Sequence, residues 1–125
     1  MSATLETSGF DTSGTSRRAW HDVCASDELE LDRGVCALVA SRQIAIFRVS
    51  PGGEVHAISN YDPFSDACVL SRGIVGTVDD APTVASPVYK QRFDLRTGRC
   101  LDDSSVTVPV YRVRVADGRV AIELP

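Results

Sequence analysis

Apolar and polar residues alternate along most of the chain, and this pattern predicts β-strands rather than helices. Two apolar, β-branched runs, residues 34–40 (GVCALVA) and 43–49 (QIAIFRV), are separated by Ser41-Arg42 and predict a hairpin. The turn signal SPGGE follows the second run, and EVHAIS, residues 54–59, predicts a third strand. No window of helical length carries a convincing apolar stripe with a period of about 3.6 residues.

The C-terminal segment has the cleanest alternation. In VPVYRVRV one face of the predicted strand carries Tyr111, Val113 and Val115, and the other face carries arginines. The turn signal ADG follows, and RVAIEL predicts a partner strand whose aliphatic positions, Val120, Ile122 and Leu124, face the core. Several short strands with frequent turn signals predict an all-β sandwich or barrel.

Two segments depart from this pattern. From Asn60 to about Val84 the chain is polar and contains prolines and glycines, so it predicts a long connection with little strand character. It also contains apolar residues, so we expect it to be ordered and folded back on the sheets. Residues 1–18 are rich in Ser, Thr and Gly and predict a disordered N-terminal tail. The domain organisation expected is therefore this tail and a single domain over residues 19–125.

Composition narrows the class of protein. The chain has 125 residues and a formal net charge of −4. Its basic residues are scattered, which argues against nucleic-acid binding. No apolar run approaches the roughly 18–20 residues that span a membrane. The N-terminus lacks the apolar region of a secretory signal. We therefore expect a cytoplasmic protein whose four cysteines stay reduced.

The sequence offers little chemistry. His21-x-x-Cys24 is a weak zinc pattern, because there is no CxxC pair to complete it. No GxGxxG fingerprint follows a predicted strand. Ser86 has no histidine placed near it by any sequence argument, so it is not a credible nucleophile. We expect no catalytic residue, no metal and no cofactor in this chain.

Two short boxes in the middle of the chain nevertheless resemble a cofactor-binding loop pair. The first is Asp62-Pro63-Phe64 and the second is Ser86-Pro87-Val88-Tyr89. A downstream block follows them, made of Phe93, Asp94, Leu95, Thr97 and Gly98. The spacing is similar to that of a Rieske iron–sulfur domain, in which the boxes read Cys-x-His and Cys-x-x-His. The resemblance implies a Rieske-like antiparallel β-sandwich with a small inserted loop subdomain at one tip.

The ligands of that family are missing. Two thiolates and two imidazoles hold a Rieske cluster, and the matching positions here are Asp62, Phe64, Ser86 and Tyr89. The resemblance therefore implies a vacated cluster site. We expect the rings of Phe64 and Tyr89 to fill the vacated volume, because empty interior space is costly. Lys90 stands where Rieske domains commonly have a glycine beside the cluster, and a long side chain fits there only without one.

Longer blocks sharpen the resemblance. NYDPFS, VLSRGIVG and SPVYKQ-FDL-TG are similar to the small subunit of the cytoplasmic, NAD(P)H-dependent assimilatory nitrite reductase. The resemblance covers roughly residues 19–124. It implies a non-catalytic subunit whose partner, the large subunit, carries FAD, siroheme and an iron–sulfur cluster and reduces nitrite to ammonium. The alternative is a free-standing, cluster-free Rieske-like interaction module that serves another oxidoreductase.

In a Rieske domain the cluster tip is where electron-transfer partners approach, so the resemblance makes the two boxes the expected docking surface. Aromatic residues and arginine are enriched at interface hot spots. The interface candidates are Tyr61, Phe64, Arg72, Lys90 and Gln91. The plainer interpretation is that these are solvated loop residues. Asp62 has two alternatives, hydrogen bonds to backbone N–H groups of its own loop or a pair with Arg72 or Lys90.

Overall fold

The computed structural model describes the backbone of residues 4–6 and all of residues 19–125. The described residues form β-strands and two short 3₁₀ helices, Ser26–Glu28 and Leu70–Arg72. The strands are β1 Thr4–Glu6, β2 Ala19–Ala25, β3 Arg33–Val39, β4 Arg42–Val49, β5 Glu54–Ser59, β6 Tyr61–Asp62, β7 Ala67–Cys68, β8 Ile74–Val78, β9 Ala81–Ala85, β10 Arg92–Asp94, β11 Val110–Ala116 and β12 Arg119–Leu124. The predicted all-β fold is confirmed.

Seven strands form the main sheet, in the order β1-β3-β4-β5-β11-β12-β2. β1 pairs with β3 in parallel, and the other neighbours pair antiparallel. The predicted hairpin of β3 and β4 is present, and it turns through Ala40 and Ser41, whose φ angles are 47° and 66°. Two consecutive left-handed residues are typical of a two-residue hairpin turn. The turn therefore lies one residue earlier than the sequence indicates.

β4 lies between two hydrophobic clusters and is buried on both faces. Ile44 and Ile46 belong to the first cluster, to which β2, β3 and β12 of the same sheet also contribute side chains. The alternate residues Ala45 and Phe47 belong to the second cluster, together with Val84 of β9 and Phe93 of β10. A strand covered on both faces needs no polar side, and this explains the nearly continuous apolar run in its sequence.

The C-terminal hairpin of β11 and β12 also follows its prediction. It turns through Asp117 and Gly118, which have φ angles of 53° and 74°. The three aliphatic residues predicted to face the core from β12 are buried. On β11 Tyr111 and Val113 pack against the first cluster, whereas Val115, near the turn, is 49% exposed.

The prediction for the middle segment is wrong in one respect. It forms strands: β9 pairs with β8 on one side and with β10 on the other in a three-stranded sheet, and β6 pairs with β7. The inner face of the three-stranded sheet packs on the second cluster through Val75, Val84 and Phe93. The sequence does not indicate these strands, because Gly76 lies in β8 and Pro82 in β9, and both residue types are uncommon in strands. The segment is ordered and packed on the main sheet, as expected.

The predicted N-terminal tail is described only in part. Residues 4–6 form β1 and so depart from the expectation of disorder. The rest of the predicted tail, residues 1–3 and 7–18, lies outside the described residues. In the part of the chain that the structure describes, no helix is long and apolar enough to cross a membrane.

Candidate functional site

The two boxes singled out from the sequence form neighbouring loops. Loop 1 comprises residues 60–66 and loop 2 comprises residues 86–91, and we call the two loops together the tip. The Ser86 hydroxyl donates a hydrogen bond of 2.5 Å to Oδ2 of Asp62. Both side chains are buried, with exposed fractions of 1% and 0%. A direct side-chain bond therefore joins the loops at the two positions that the Rieske pattern assigns to cysteine.

The two loops repeat one local geometry. In loop 1 the Asp66 N–H donates to the Asp62 carbonyl at 2.9 Å, and in loop 2 the Lys90 N–H donates to the Ser86 carbonyl at 3.1 Å. The closing residue of each turn has a positive φ, 55° for Asp66 and 66° for Lys90. The matching positions therefore share a backbone shape that would suit a glycine.

Side-chain bonds inside each loop complete the repeat. Oδ1 of Asp62 accepts from the Phe64 N–H at 2.9 Å, and the Ser86 hydroxyl oxygen accepts from the Val88 N–H at 3.2 Å. Oδ2 of Asp62 also accepts from the Ser65 hydroxyl at 2.8 Å. A buried acceptor with three donors is well satisfied. Of the two alternatives for Asp62, the bonds within its own loop are therefore present.

Among the described residues, no ion pair joins Asp62 to Arg72 or Lys90. The side chains of Arg72 and Lys90 are exposed to solvent. The exposed carboxylate of loop 1, Asp66, instead accepts from the Tyr61 phenol at 2.5 Å. This hydrogen bond raises the pKa of Tyr61, because loss of the phenolic proton would place two negative charges together.

The two aromatic side chains at vacated ligand positions differ. Phe64 is half-buried and packs against Phe93 of the second cluster, with ring centroids 6.2 Å apart and planes tilted by 49°. Tyr89 is 62% exposed. The expectation that both rings fill the vacated volume is therefore correct for Phe64 and wrong for Tyr89. The hydrogen-bonded pair of Asp62 and Ser86 occupies the interior of the tip instead.

Asn60 positions loop 1, and the sequence argument missed it. Its side chain is buried, and Oδ1 accepts from the Ser71 N–H at 2.7 Å. Nδ2 donates to the Cys68 carbonyl at 3.0 Å and to Oε1 of Gln43 at 3.3 Å. These bonds tie the start of loop 1 to β4, to β7 and to the 3₁₀ helix that precedes β8. The signal was available, because asparagine often bonds backbone groups at turns.

The downstream block, residues 93–98, follows loop 2 and anchors the chain in the core. Phe93 and Leu95 are buried in the second cluster, and Gly98 has a φ of 79° in the turn that follows. Burial works to raise the pKa of Asp94, but hydrogen bonds from the Arg96 side chain and backbone outweigh it and hold that pKa below its usual range. Asp94 is thus a structural carboxylate that fastens the turn.

The donor set of the tip does not fit a [2Fe–2S] cluster. Such a cluster needs thiolates and imidazoles, and the four positions offer a carboxylate and a hydroxyl that bond each other, a phenyl ring in the core and an exposed phenol. Within residues 19–125, no group of three His, Cys, Asp or Glu side chains could hold a metal ion. No step of any reaction is therefore assigned to an iron–sulfur group in this chain.

Comparison with known proteins places the chain. The family model described as the Rieske-like [2Fe-2S] domain matches residues 19–123. The nitrite reductase (NADH) small subunit of Escherichia coli strain K12 is 45% identical over 103 residues, covering 82% of this chain and 95% of that protein. The chain belongs to the nitrite reductase small subunit family. Within the broader Rieske-like family it has the fold and the two loops, with other residues at the ligand positions.

Two further relatives extend the comparison. A crystal structure of a protein from Mycobacterium tuberculosis, proposed to be an NADH-dependent nitrite reductase small subunit, has a TM-score of 0.83 at 46% identity and covers 88% of this chain and 98% of that one. A chain named nitrite reductase [NAD(P)H] large subunit, from Klebsiella oxytoca, is 42% identical over 103 residues. That match covers 82% of this chain and 11% of the longer one. A domain of this family is thus part of a larger nitrite reductase polypeptide in that species.

The structure places the five interface candidates around the tip but exposes them unequally. Tyr61, Arg72 and Lys90 are exposed, whereas Phe64 and Gln91 are half-buried. The sequence argument missed three exposed apolar or aromatic side chains here, namely Ile74, Val88 and Tyr89. Ile74, at the start of β8, is 76% exposed. Its exposure could not be predicted from the sequence, because an isoleucine in a strand is usually buried and only the tertiary structure shows which face it lies on.

Proposed function

We propose that this chain is the non-catalytic small subunit of a cytoplasmic, NAD(P)H-dependent nitrite reductase and docks to a large subunit that reduces nitrite to ammonium. The single observation that carries the proposal is the segment of the Klebsiella oxytoca large subunit that is 42% identical to this chain. Two domains that occur on one polypeptide are held at high local concentration. When the same domain is a separate chain, non-covalent contacts have to supply that association.

The chemistry of the tip supports a role without electron transfer. The residues at the cluster positions are redox-inert in this arrangement. The polar side-chain atoms of Asp62 and Ser86 form hydrogen bonds that hold the loops together. In the proposal the FAD, the siroheme and the iron–sulfur cluster belong to the large subunit. This chain supplies a rigid surface that stabilises or positions its partner.

The tip is the proposed docking surface. Its backbone is fixed by the paired turns and by the Asp62–Ser86 bond, so little ordering entropy is lost on binding. Tyr61, Arg72 and Lys90 are accessible to a partner, whereas Phe64 supports the loop from inside. Substitution of Phe64 would therefore disturb the fold as well as the surface, and exposed positions are better probes.

Co-purification with the large subunit tests this function. The large subunit would be expressed with and without this chain, and NADH-dependent ammonium formation from nitrite would be measured at equal flavin and siroheme content. We expect a stable complex, and we expect either activity or stability of the large subunit to fall without this chain. Absence of a complex, with activity unchanged, would contradict the proposal and favour service to another oxidoreductase.

A further inference from the structure

Loop 2 and the adjacent start of β8 carry three exposed apolar or aromatic side chains. Ile74 is 76% exposed, Tyr89 is 62% exposed and Val88 is 47% exposed. The β8–β9 register places Ile74 opposite Ala85, the residue immediately before loop 2. Ile74 therefore lies at the strand end where loop 2, which contains Val88 and Tyr89, begins. The neighbouring Val75 and Val84 point to the core. Clustered exposed apolar groups at a rigid site are typical of a binding surface.

Two cations border this apolar surface. Arg72 lies two residues before Ile74, next to the close approach of Gly73 to Ala85, and Lys90 follows Tyr89 and closes loop 2. Both side chains are exposed, and neither makes an ion pair with a described residue. By contrast, the nearby Arg92 is paired with Asp102 at 3.0 Å. We define the tip patch as Arg72, Ile74, Val88, Tyr89 and Lys90.

The anionic groups near the tip patch are already engaged. Asp62 is buried under three hydrogen bonds, and Asp66 accepts from the Tyr61 phenol. These two carboxylates keep their negative charge, whereas the tip patch itself contains two exposed cations, Arg72 and Lys90, and no carboxylate. Exposed cations without an ion pair favour a partner surface that carries the opposite charge.

Resting on the proposed function, we propose that the tip patch binds an apolar site on the large subunit that carboxylates surround. Ile74, Val88 and Tyr89 fill the apolar centre, where burial supplies most of the binding free energy. Arg72 and Lys90 meet the surrounding carboxylates, which sets the association rate and the dependence on salt. A second copy of the tip patch is a poorer occupant, because the patch contains two cations and no carboxylate to meet them.

Binding of variants to the purified large subunit tests the inference. The charge variant is Arg72→Glu with Lys90→Glu, and the apolar variant is Ile74→Ser with Tyr89→Ser. Matched controls are Arg99→Glu and Val115→Ser, which change an exposed cation and a 49% exposed valine outside the tip patch. Circular dichroism and urea unfolding check that every variant is folded before association and dissociation rates are measured at low and high ionic strength.

The expected results separate the two kinds of contact. The charge variant should associate about tenfold more slowly at low ionic strength and lose most of the salt dependence. The apolar variant should dissociate about tenfold or more faster with little change in salt dependence. Both controls should bind like the unmodified chain.

Three other outcomes have distinct meanings. If the unmodified chain does not bind the large subunit, the proposed function fails and this inference fails with it. If the unmodified chain binds and both tip variants match the controls, only this inference is overturned. Tighter binding by the charge variant would mean a basic partner surface, and loss of self-association in sedimentation experiments would mean a second copy as occupant. Either result also overturns it.

Discussion

Ser86 donates a 2.5 Å hydrogen bond to Asp62, and this bond joins two loops whose bonded residues are 24 positions apart in the chain. The bond lies at the two positions where the Rieske pattern has cysteines. A metal cluster and this bond have the same mechanical consequence, because each holds the loops side by side. The geometry explains how a fold built around a cofactor keeps its tip when the ligand residues are different.

Removal of the Asp62 carboxylate should destabilise the tip. Asp62→Ala leaves the buried Ser86 hydroxyl, and the half-buried Ser65 hydroxyl and Phe64 N–H, without their acceptor. We expect the free energy of unfolding in urea to fall by about 2–4 kcal/mol. Ser86→Ala should cost less, about 1–2 kcal/mol, since Asp62 keeps two donors.

A double-mutant cycle isolates the bond between the loops. The double variant of Asp62→Ala and Ser86→Ala should be more stable than the sum of the single effects indicates, with a coupling of about 0.5–3 kcal/mol. The paired variant Asp62→Ala with Ser65→Ala serves as the control for a bond within loop 1. A coupling near zero between Asp62 and Ser86 would mean that the bond contributes nothing to the folded state.

Two glycines of the segment before loop 2 provide a matched pair. A Cβ on Gly73 would lie 2.3 Å from the Ala85 carbonyl oxygen and 2.6 Å from Cγ2 of Val84. On Gly76 the nearest atom would be Oγ1 of Thr83 at 3.5 Å, which is ordinary contact. Gly73→Ala should therefore cost about 2–3 kcal/mol in unfolding free energy, whereas Gly76→Ala should be neutral or slightly stabilising. Equal effects of the two substitutions would show that the Ala85 contact does not matter.

The backbone conformation of Lys90 is expected to lower the stability of the folded state, and glycine would relieve this strain. Its φ of 66° is left-handed, and an L-residue there loses about 1–2 kcal/mol. Lys90→Gly should raise the unfolding free energy by roughly 0.5–1 kcal/mol, because the greater freedom of glycine in the unfolded chain offsets part of the gain. Thermal and urea unfolding measure the change.

Lys90→Val is the contrasting variant, since a β-branched residue is strongly disfavoured at this φ. It removes the same charge as the glycine variant, so the charge cannot explain a difference between them. Lower stability for both variants would contradict the interpretation of Lys90 as a strained position.

His56 should make the protein less stable in mild acid. Burial lowers the pKa of His56, and it outweighs the carboxylates of Glu54, at 3.8 Å, and Asp94, while Arg96 lowers the pKa further. The His56 side chain therefore becomes protonated near pH 6.5 in the unfolded chain but only at a lower pH in the folded chain. Stability is fully present above that pH and is lost as the pH falls through the folded-state pKa.

The measurement is urea unfolding between neutral and mildly acidic pH, together with an NMR titration of the His56 ring. His56→Gln should flatten this part of the pH profile. An NMR pKa for His56 above that of a model peptide, or a profile unchanged by His56→Gln, would contradict the prediction.

Much of the fold could be predicted because local patterns agree with the tertiary structure. The β3–β4 and β11–β12 hairpins follow from alternation and turn residues, and the double burial of β4 follows from its apolar run. The middle segment could not be predicted, because Gly76 and Pro82 argue against strands that packing against Phe47 and Phe93 nevertheless stabilises. Propensity is a weak signal where tertiary contacts decide.

The sequence by itself determined which atoms are available at the tip. It placed a carboxylate, a phenyl ring, a hydroxyl and a phenol at the ligand positions, and no folding can convert these into thiolates and imidazoles. Only the tertiary structure decided what those groups do. It brought Asp62 to Ser86, turned Phe64 toward Phe93 and left Tyr89 exposed to solvent. The reason is physical: residue identity fixes donor chemistry, whereas burial and neighbours depend on contacts between segments that are distant in the chain.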